Sequence, residues 1–202
     1  MPTKTMMLVG LAWAALALAG PAAAQAEGPF WWEDDNEVEK FLEEPKEAGP
    51  GVEFTFTIPA VNLIVGPCES GKETVWGGVL FNTSEAGEGK FFEGGIEGSC
   101  PTNDFLCTMT ATPEFNWFLK LEEGELGEPL GTVTEVSIRF VPEAGCETVP
   151  EFTIAGEMTG AFENGESKLI FEKEEESGLL VSGVLPAEVE GEMSFGTNMT
   201  AK

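Results

Sequence analysis

Carboxylates are the only chemistry this chain carries in quantity: 36 Asp and Glu against 10 Lys and Arg, with no His and no Tyr in 202 residues. Without His the chain lacks the usual general base, the usual proton shuttle and the commonest transition-metal ligand. What remains is acid–base or nucleophilic work by paired carboxylates, as in a glycosidase, and oxygen ligation of a hard cation. Acids are so numerous that spacing alone singles out no pair. The run Asp34-Asp35-Asn36-Glu37 comes nearest to a calcium loop. Val38 and Glu39 follow where further alternate ligands and a glycine are required, so the run reads as a solvated helix start. Glu122, Glu123 and Glu125 around Gly124, and Glu172 and Glu174 to Glu176 around Lys173, read as charged turns. At most they offer weak association with divalent cations. A serine nucleophile would need a base other than His, and no Gly-x-Ser-x-Gly, phosphate-loop or dinucleotide pattern is present. No catalytic, cofactor-binding or metal-ligating residue is therefore assigned, and the chain reads as a non-enzyme.

Trp31, Trp32, Trp76 and Trp117, with 15 Phe, could stack on sugars or on an apolar ligand. Trp76 and Trp117 fall in strand-like patterns and read as core. Trp31 and Trp32 read as a dock for the segment that precedes the main domain. The cysteines are four, Cys68, Cys100, Cys107 and Cys146, with neither a Cys-x-x-Cys pair nor a His beside them, which favours two disulfides over a metal site. Of the three pairings, the short loop holding Pro101, Thr102 and Asn103 favours Cys100–Cys107, leaving Cys68–Cys146. Asn82-Thr83-Ser84 and Asn198-Met199-Thr200 match the glycosylation sequon.

The elements that would position these groups begin after an export signal. Lys4 gives a positive start, Thr5 to Gly20 an apolar run, and Ala22 to Ala26 two small-x-small cleavage patterns. The competing reading, an uncleaved anchor, is opposed by the shortness of the run and its Ala-rich exit. Residues 1–26 are thus the signal, and the mature chain is secreted or held in the cell envelope with no transmembrane anchor. Removal of the signal takes Lys4 and no acid, moving the formal charge from −26 to −27. Nucleic acid and anionic lipid are excluded as electrostatic partners, because both need Lys and Arg to meet phosphate. A protein partner, in the envelope or free, would have to present a basic patch.

Residues 27–50 form an acidic lead-in. Val38, Phe41 and Leu42 have helical spacing, Asp34 and Glu37 could form a capping box, and Pro45 would end the turn, so the segment is a short helix or a tail. From residue 51 to 202 the period becomes two. Val52, Phe54, Phe56 and Ile58 alternate with Glu53, Thr55 and Thr57, as Val136, Ile138 and Phe140 do with Glu135, Ser137 and Arg139. About ten such runs are separated by turn residues. Glu163-Asn164-Gly165-Glu166 reads as a hairpin with Asn-Gly in a type I′ turn. The predicted fold is all-β: one antiparallel sandwich or barrel.

Gly28-Pro29-Phe30-Trp31, Trp76 to Asn82 with Gly87-Glu88-Gly89, and Gly160 to Gly165 together resemble a group of secreted proteins of soil actinobacteria. The resemblance runs intermittently from Gly28 to Ala201. It implies an exported β-rich protein, and it brings no activity, cofactor or catalytic residue with it. The function expected is a structural or interaction role outside the cytoplasm. A small-ligand or carbohydrate-binding module is the alternative, and a carboxylate hydrolase the third.

Overall fold

A side chain on every second residue faces the same side of a strand, so the alternating runs can bury one face only by pairing into a sheet. The computed structural model describes residues 29–33, 36–37, 52–69, 77–96, 99–104, 107–144, 146, 149–173, 177–195 and 199–202. Its strands are β1 (Trp31–Glu33), β2 (Asn36–Glu37), β3 (Val52–Ile58), β4 (Leu63–Glu69), β5 (Gly77–Asn82), β6 (Gly87–Glu93), β7 (Ser99–Pro101) and β8 (Thr108–Pro113). They continue with β9 (Trp117–Glu123), β10 (Pro129–Pro142), β11 (Phe152–Glu163), β12 (Lys168–Phe171), β13 (Leu179–Val181), β14 (Leu185–Ser194) and β15 (Met199–Ala201). The one helical piece among the described residues is a 3₁₀ turn at Pro59–Val61. No helix among them is long and apolar enough to cross a membrane. The chain is all-β, as its periodicity requires.

Twelve strands form one antiparallel sheet, and β1, β2 and β15 form a second, small one. The long strands β10, β11 and β14 frame the large sheet, and each changes neighbour midway. The first half of β10 pairs with β9 and its second half with β8. β11 passes from β13 to β12, and β14 from β13 to β12 while holding β3 along its other edge. Left-handed backbone marks each change: Glu135 at φ 57°, Gly156 at 142° and Gly191 at 151°. Glycine is required at the last two. A Cβ would lie 2.1 Å from the Gly178 carbonyl oxygen at Gly156, and 1.9 Å from that of Glu53 at Gly191.

These crossings divide the molecule into two ends. At one, β4, β3, β14, β13, β11, β10, β8 and β7 follow one another until β7 meets β4 through a single bridge, Val65 to Thr102. A ring of about eight strands is just wide enough to be filled by side chains. Phe54, Phe56, Ile138, Phe140 and Ile154 fill it, all buried. The Phe56 ring meets Phe140 edge-on at 5.6 Å, and Phe140 stacks on Phe152 at 5.1 Å.

The other end is covered by the ribbon of β1 and β15. The backbones of Phe30 and Lys202 exchange both hydrogen bonds, so the next pair, Trp31 opposite Ala201, turns its N–H and C=O groups outward. An asparagine meets each. Asn82 Oδ1 accepts from the Trp31 N–H at 2.8 Å, and its Nδ2 donates to the Trp31 carbonyl at 3.0 Å. Asn164 does the same for Ala201, at 2.6 and 2.9 Å. The Trp31 side chain is wholly buried, edge-on to Phe162 at 5.2 Å, with its indole N–H donating to the Glu88 carbonyl.

The lead-in is corrected accordingly. Asn36 and Glu37, placed by sequence at a helix start, form β2 and pair back onto β1. Pairing of Trp31–Glu33 with β15 supplies more hydrogen bonds than one isolated helical turn could. The segment read as a lead-in thus contributes Trp31 to the main core. The remainder of the proposed helix, with Val38, Phe41, Leu42 and Pro45, lies outside the described residues, as do the signal segment and Trp76.

Candidate functional site

Four turns converge on the closed end of the ring and leave its mouth uncovered. The cavity there measures about 770 Å³, within the range of small-ligand sites, which favour the mouths of barrels. Its floor is Ile58, Phe152 and Val181, the last buried side chains of β3, β11 and β13. Val61, Leu63, Val149, Val184 and Leu185 form the walls, and Asn62, Asn103, Asp104, Glu151 and Ser182 supply the polar lining. Val61 and Val184 are 59% and 75% exposed, at turn tips where water would favour polar residues.

Each wall is held by local chemistry. Asn62 closes the 3₁₀ turn in left-handed conformation at φ 51°, donating its N–H to the Pro59 carbonyl. Asn103 spans from the facing loop: Nδ2 donates to the Asn62 carbonyl at 2.8 Å, and Oδ1 accepts from the Ile64 N–H at 3.1 Å. Ser182 and Gly183, both at positive φ, form the tight turn between β13 and β14, closed by the Val184 N–H on the Val181 carbonyl. The Ser182 N–H donates to the Thr153 carbonyl at 2.7 Å, fixing this hairpin on β11. Glu151 takes the guanidinium of Arg139 at 2.6 and 2.7 Å. The mouth is thus a preformed apolar hollow with carboxylates on its rim.

The four cysteines all form disulfides, with the pairing Cys68–Cys100 and Cys107–Cys146. The expected Cys100–Cys107 and Cys68–Cys146 pairing is therefore corrected. Strand register is the reason. Cys100 lies opposite Met109 in the β7–β8 ladder, not opposite Cys107. On its other side β7 runs along β4, which carries Cys68. That bond fastens the seam where backbone pairing is down to one bridge.

The Cys146 N–H donates to the backbone carbonyl of Glu143 at 3.1 Å, and Glu143 is an acid that no sequence pattern singles out. Glu143 accepts hydrogen bonds from the hydroxyls of Ser99, Thr108 at 2.9 Å and Thr110 at 3.0 Å, while its backbone N–H donates to the Thr108 carbonyl. The Ser99 hydroxyl first, then those of Thr108 and Thr110, hold its pKa below the ordinary 4.5, against the opposing effect of burial. A pKa depressed by folding gives stability that is present above the unfolded value and lost as pH falls through the folded one. Glu143→Gln should therefore lower the urea midpoint at neutral pH, and the gap to the parent should close as pH falls below 4.5. Denaturation at a series of pH values measures this, and a gap that stays constant with pH would refute the role given to the charge.

The remaining sequence candidates scatter. Trp117 is wholly buried with its indole N–H on the Glu114 carbonyl, and Trp31 is wholly buried under the ribbon. Trp32 is half-buried with Lys202 Nζ 5.1 Å above its ring. No described tryptophan therefore lies open on a sheet face. Asn82 of the first sequon is engaged by the Trp31 backbone, and Asn198 lies outside the described residues. Glu122 pairs with Lys120 at 3.5 Å, and the β9–β10 turn is closed by Glu128 accepting from the Leu126 N–H. Glu166 at 2.5 Å, Glu192 at 3.1 Å and Glu163 at 3.9 Å surround Lys168 at the ribbon end. The bonds from Glu166 and then Glu192 hold its ammonium above the usual lysine value. Asp34, Asp35 and Glu174 to Glu176 are not among the described residues. The mouth itself had one sequence signal, valines placed beside Asn62 and Ser182-Gly183 in turns, which only the fold makes meaningful. No family model, no curated protein and no solved structure matches this chain.

Proposed function

We propose that this chain is an exported, non-catalytic binding domain that takes a small apolar ligand in the mouth of its ring. The observation that carries the reading is the hollow of about 770 Å³, floored by Ile58, Phe152 and Val181 and walled by valines that water would otherwise disfavour. Export is supported by the apolar run before Pro21 and by two disulfides, which persist in oxidising compartments. The sugar-binding alternative is weaker, because Trp31 and Trp117 are spent on the core. A hydrolase reading would rest on Asp104 and Glu151, and Glu151 is engaged by Arg139.

Nile red, a neutral apolar dye, should bind saturably and brighten. Val61→Asp and Val184→Asp should each weaken it roughly tenfold, the worth of about one valine contact, and both should leave the fold intact because the side chains are exposed. Dye binding that is absent, or unchanged in both variants, would overturn the reading. So would glycoside, ester or peptide turnover that Asp104→Asn or Glu151→Gln abolishes in a folded protein.

A further inference from the structure

The chain has one Asn-Gly step, Asn164-Gly165. An asparagine before glycine is open to a reaction that needs only water, because no Cβ shields the following peptide nitrogen. That nitrogen attacks the asparagine Cγ and closes a succinimide ring. The bond from Cγ to Nδ2 breaks, and ammonia leaves with the proton that the peptide nitrogen gives up. Water then opens the ring at either carbonyl, leaving aspartate or isoaspartate. We propose that Asn164-Gly165 is such a deamidation site, restrained by the β1–β15 ribbon and, once converted, unable to hold the ribbon in return. The site lies at the opposite end of the molecule from the mouth and is independent of what binds there.

Residues 163–166 are exposed, so water reaches the step. Gly165 is not among the positive-φ residues, and open space surrounds the place where a Cβ would stand. Neither conformation nor packing therefore requires glycine here. The restraint is on the carboxamide of Asn164. Its Oδ1 accepts from the Ala201 N–H at 2.6 Å, and its Nδ2 donates to the Ala201 carbonyl at 2.9 Å. Attack needs Cγ to turn toward the Gly165 nitrogen, and both bonds oppose that turn. The Ser167 hydroxyl donates to the Met199 carbonyl at 2.8 Å, tying the same turn to β15 a second time. Reaction waits for β15 to lift, so its rate follows the fraction of molecules with the ribbon open.

The products cannot restore the clamp. An ionised aspartate only accepts hydrogen bonds, so it has no donor for the Ala201 carbonyl and sets a negative charge against it. Isoaspartate also lengthens the main chain by one methylene. Either acid joins Glu163 and Glu166 in one turn. Ammonia is lost to solvent, so the release runs one way.

The test incubates the purified, disulfide-bonded protein in mildly alkaline buffer and follows conversion at Asn164 by peptide mapping and mass, with the other asparagines as reference. Conversion should be roughly tenfold or more slower in the folded parent than in the urea-unfolded chain. Asn82→Ala, which frees the facing strand of the ribbon, should speed it several-fold. Urea held below the unfolding midpoint should do the same in the parent, and serves where that variant does not fold. Gly165→Ala should suppress conversion without lowering the urea midpoint, since the added methyl meets open space. The Phe30 and Lys202 amides pair across the ribbon. Their hydrogen exchange should quicken roughly tenfold in the converted protein and in Asn164→Asp alike.

Conversion as fast in the folded parent as in the unfolded chain would overturn the restraint. So would a rate that neither Asn82→Ala nor mild urea changes. Absence of conversion in the unfolded chain would remove the site. Phe30 and Lys202 amides as protected after conversion as before it would overturn the release.

Discussion

Replacing Cys68 and Cys100 together by alanine is expected to lower the unfolding free energy by about 4 kcal/mol, the loop-entropy value for a closure of this length. The two residues are 32 apart in sequence, and the other pair, Cys107 and Cys146, is 39 apart. Loop entropy alone therefore makes the two bonds nearly equal. Their surroundings do not. Cys107 immediately precedes β8 and Cys146 follows β10, two strands already paired over five registered residues from Ile138 opposite Pro113 to Pro142 opposite Met109. Cys68–Cys100 joins β4 to β7, where one bridge and the bonds of Asn103 to Ile64 are the backbone connection. Its loss should free that edge as well as the denatured chain. Equilibrium urea unfolding gives the energy, and hydrogen exchange at Ile64 and Val65 shows whether the seam opens. A variant as stable as the parent, with those amides still protected, would refute the role given to this bond. Non-reducing peptide mapping should return 68–100 and 107–146, and a 100–107 linkage would contradict the fold near the seam.

Trp31→Ala should destabilise by about 3–5 kcal/mol, the usual loss for a large aromatic deleted from a packed core. The indole is wholly buried against Phe162 and Phe195 and donates to the Glu88 carbonyl, so the deletion removes both apolar contact and a hydrogen bond. The flanking asparagines should behave as a pair. Asn82→Ala leaves the N–H and C=O of Trp31 without their partner, and Asn164→Ala does so for Ala201. Each should lower stability by about 1–3 kcal/mol. Because Trp31 and Ala201 face each other in one ribbon, the double variant should lose less than the two separate losses together: once one clamp has released the ribbon, the other has nothing left to hold. Asn82→Asp is the sharper variant. A carboxylate can still accept from the Trp31 N–H, but it cannot donate to the carbonyl and repels it. Denaturation of the four variants decides the point, and strict additivity of the two alanine changes would show that the ribbon is not a single unit.

Period-two alternation was legible from the residues alone because it is a local property. Val52 to Ile58 and Val136 to Phe140 each settle which of their own side chains face inward, and the structure buries those side chains. Local geometry is less legible where a turn has two competing uses. Asn164-Gly165 carried the expected type I′ signal, yet the loop closing β11 onto β12 runs from Asn164 to Ser167 and places positive φ at Ser167, with Asn164 recruited to clamp Ala201. Two consecutive positive-φ turn residues fall instead at Ser182 and Gly183, between β13 and β14. Short strands such as β7, three residues holding a Cys and a Pro, have no period to detect.

Three features were decided by tertiary structure alone. The cystines depend on β7 lying between β4 and β8, and spacing along the chain does not encode which edges become neighbours. Asn82 looked like a glycan acceptor until Trp31, 51 residues away, arrived at its amide. The mouth is assembled from turns near residues 61, 103, 150 and 183, each an ordinary surface connection by itself. Composition and periodicity determined that the chain would be acidic, all-β and cross-linked, because those properties are sums over residues or repeats along one strand. Where its strands meet, which cysteines join and where a cavity remains are set by the closure of the sheet on itself, since closure brings together residues that share no local pattern.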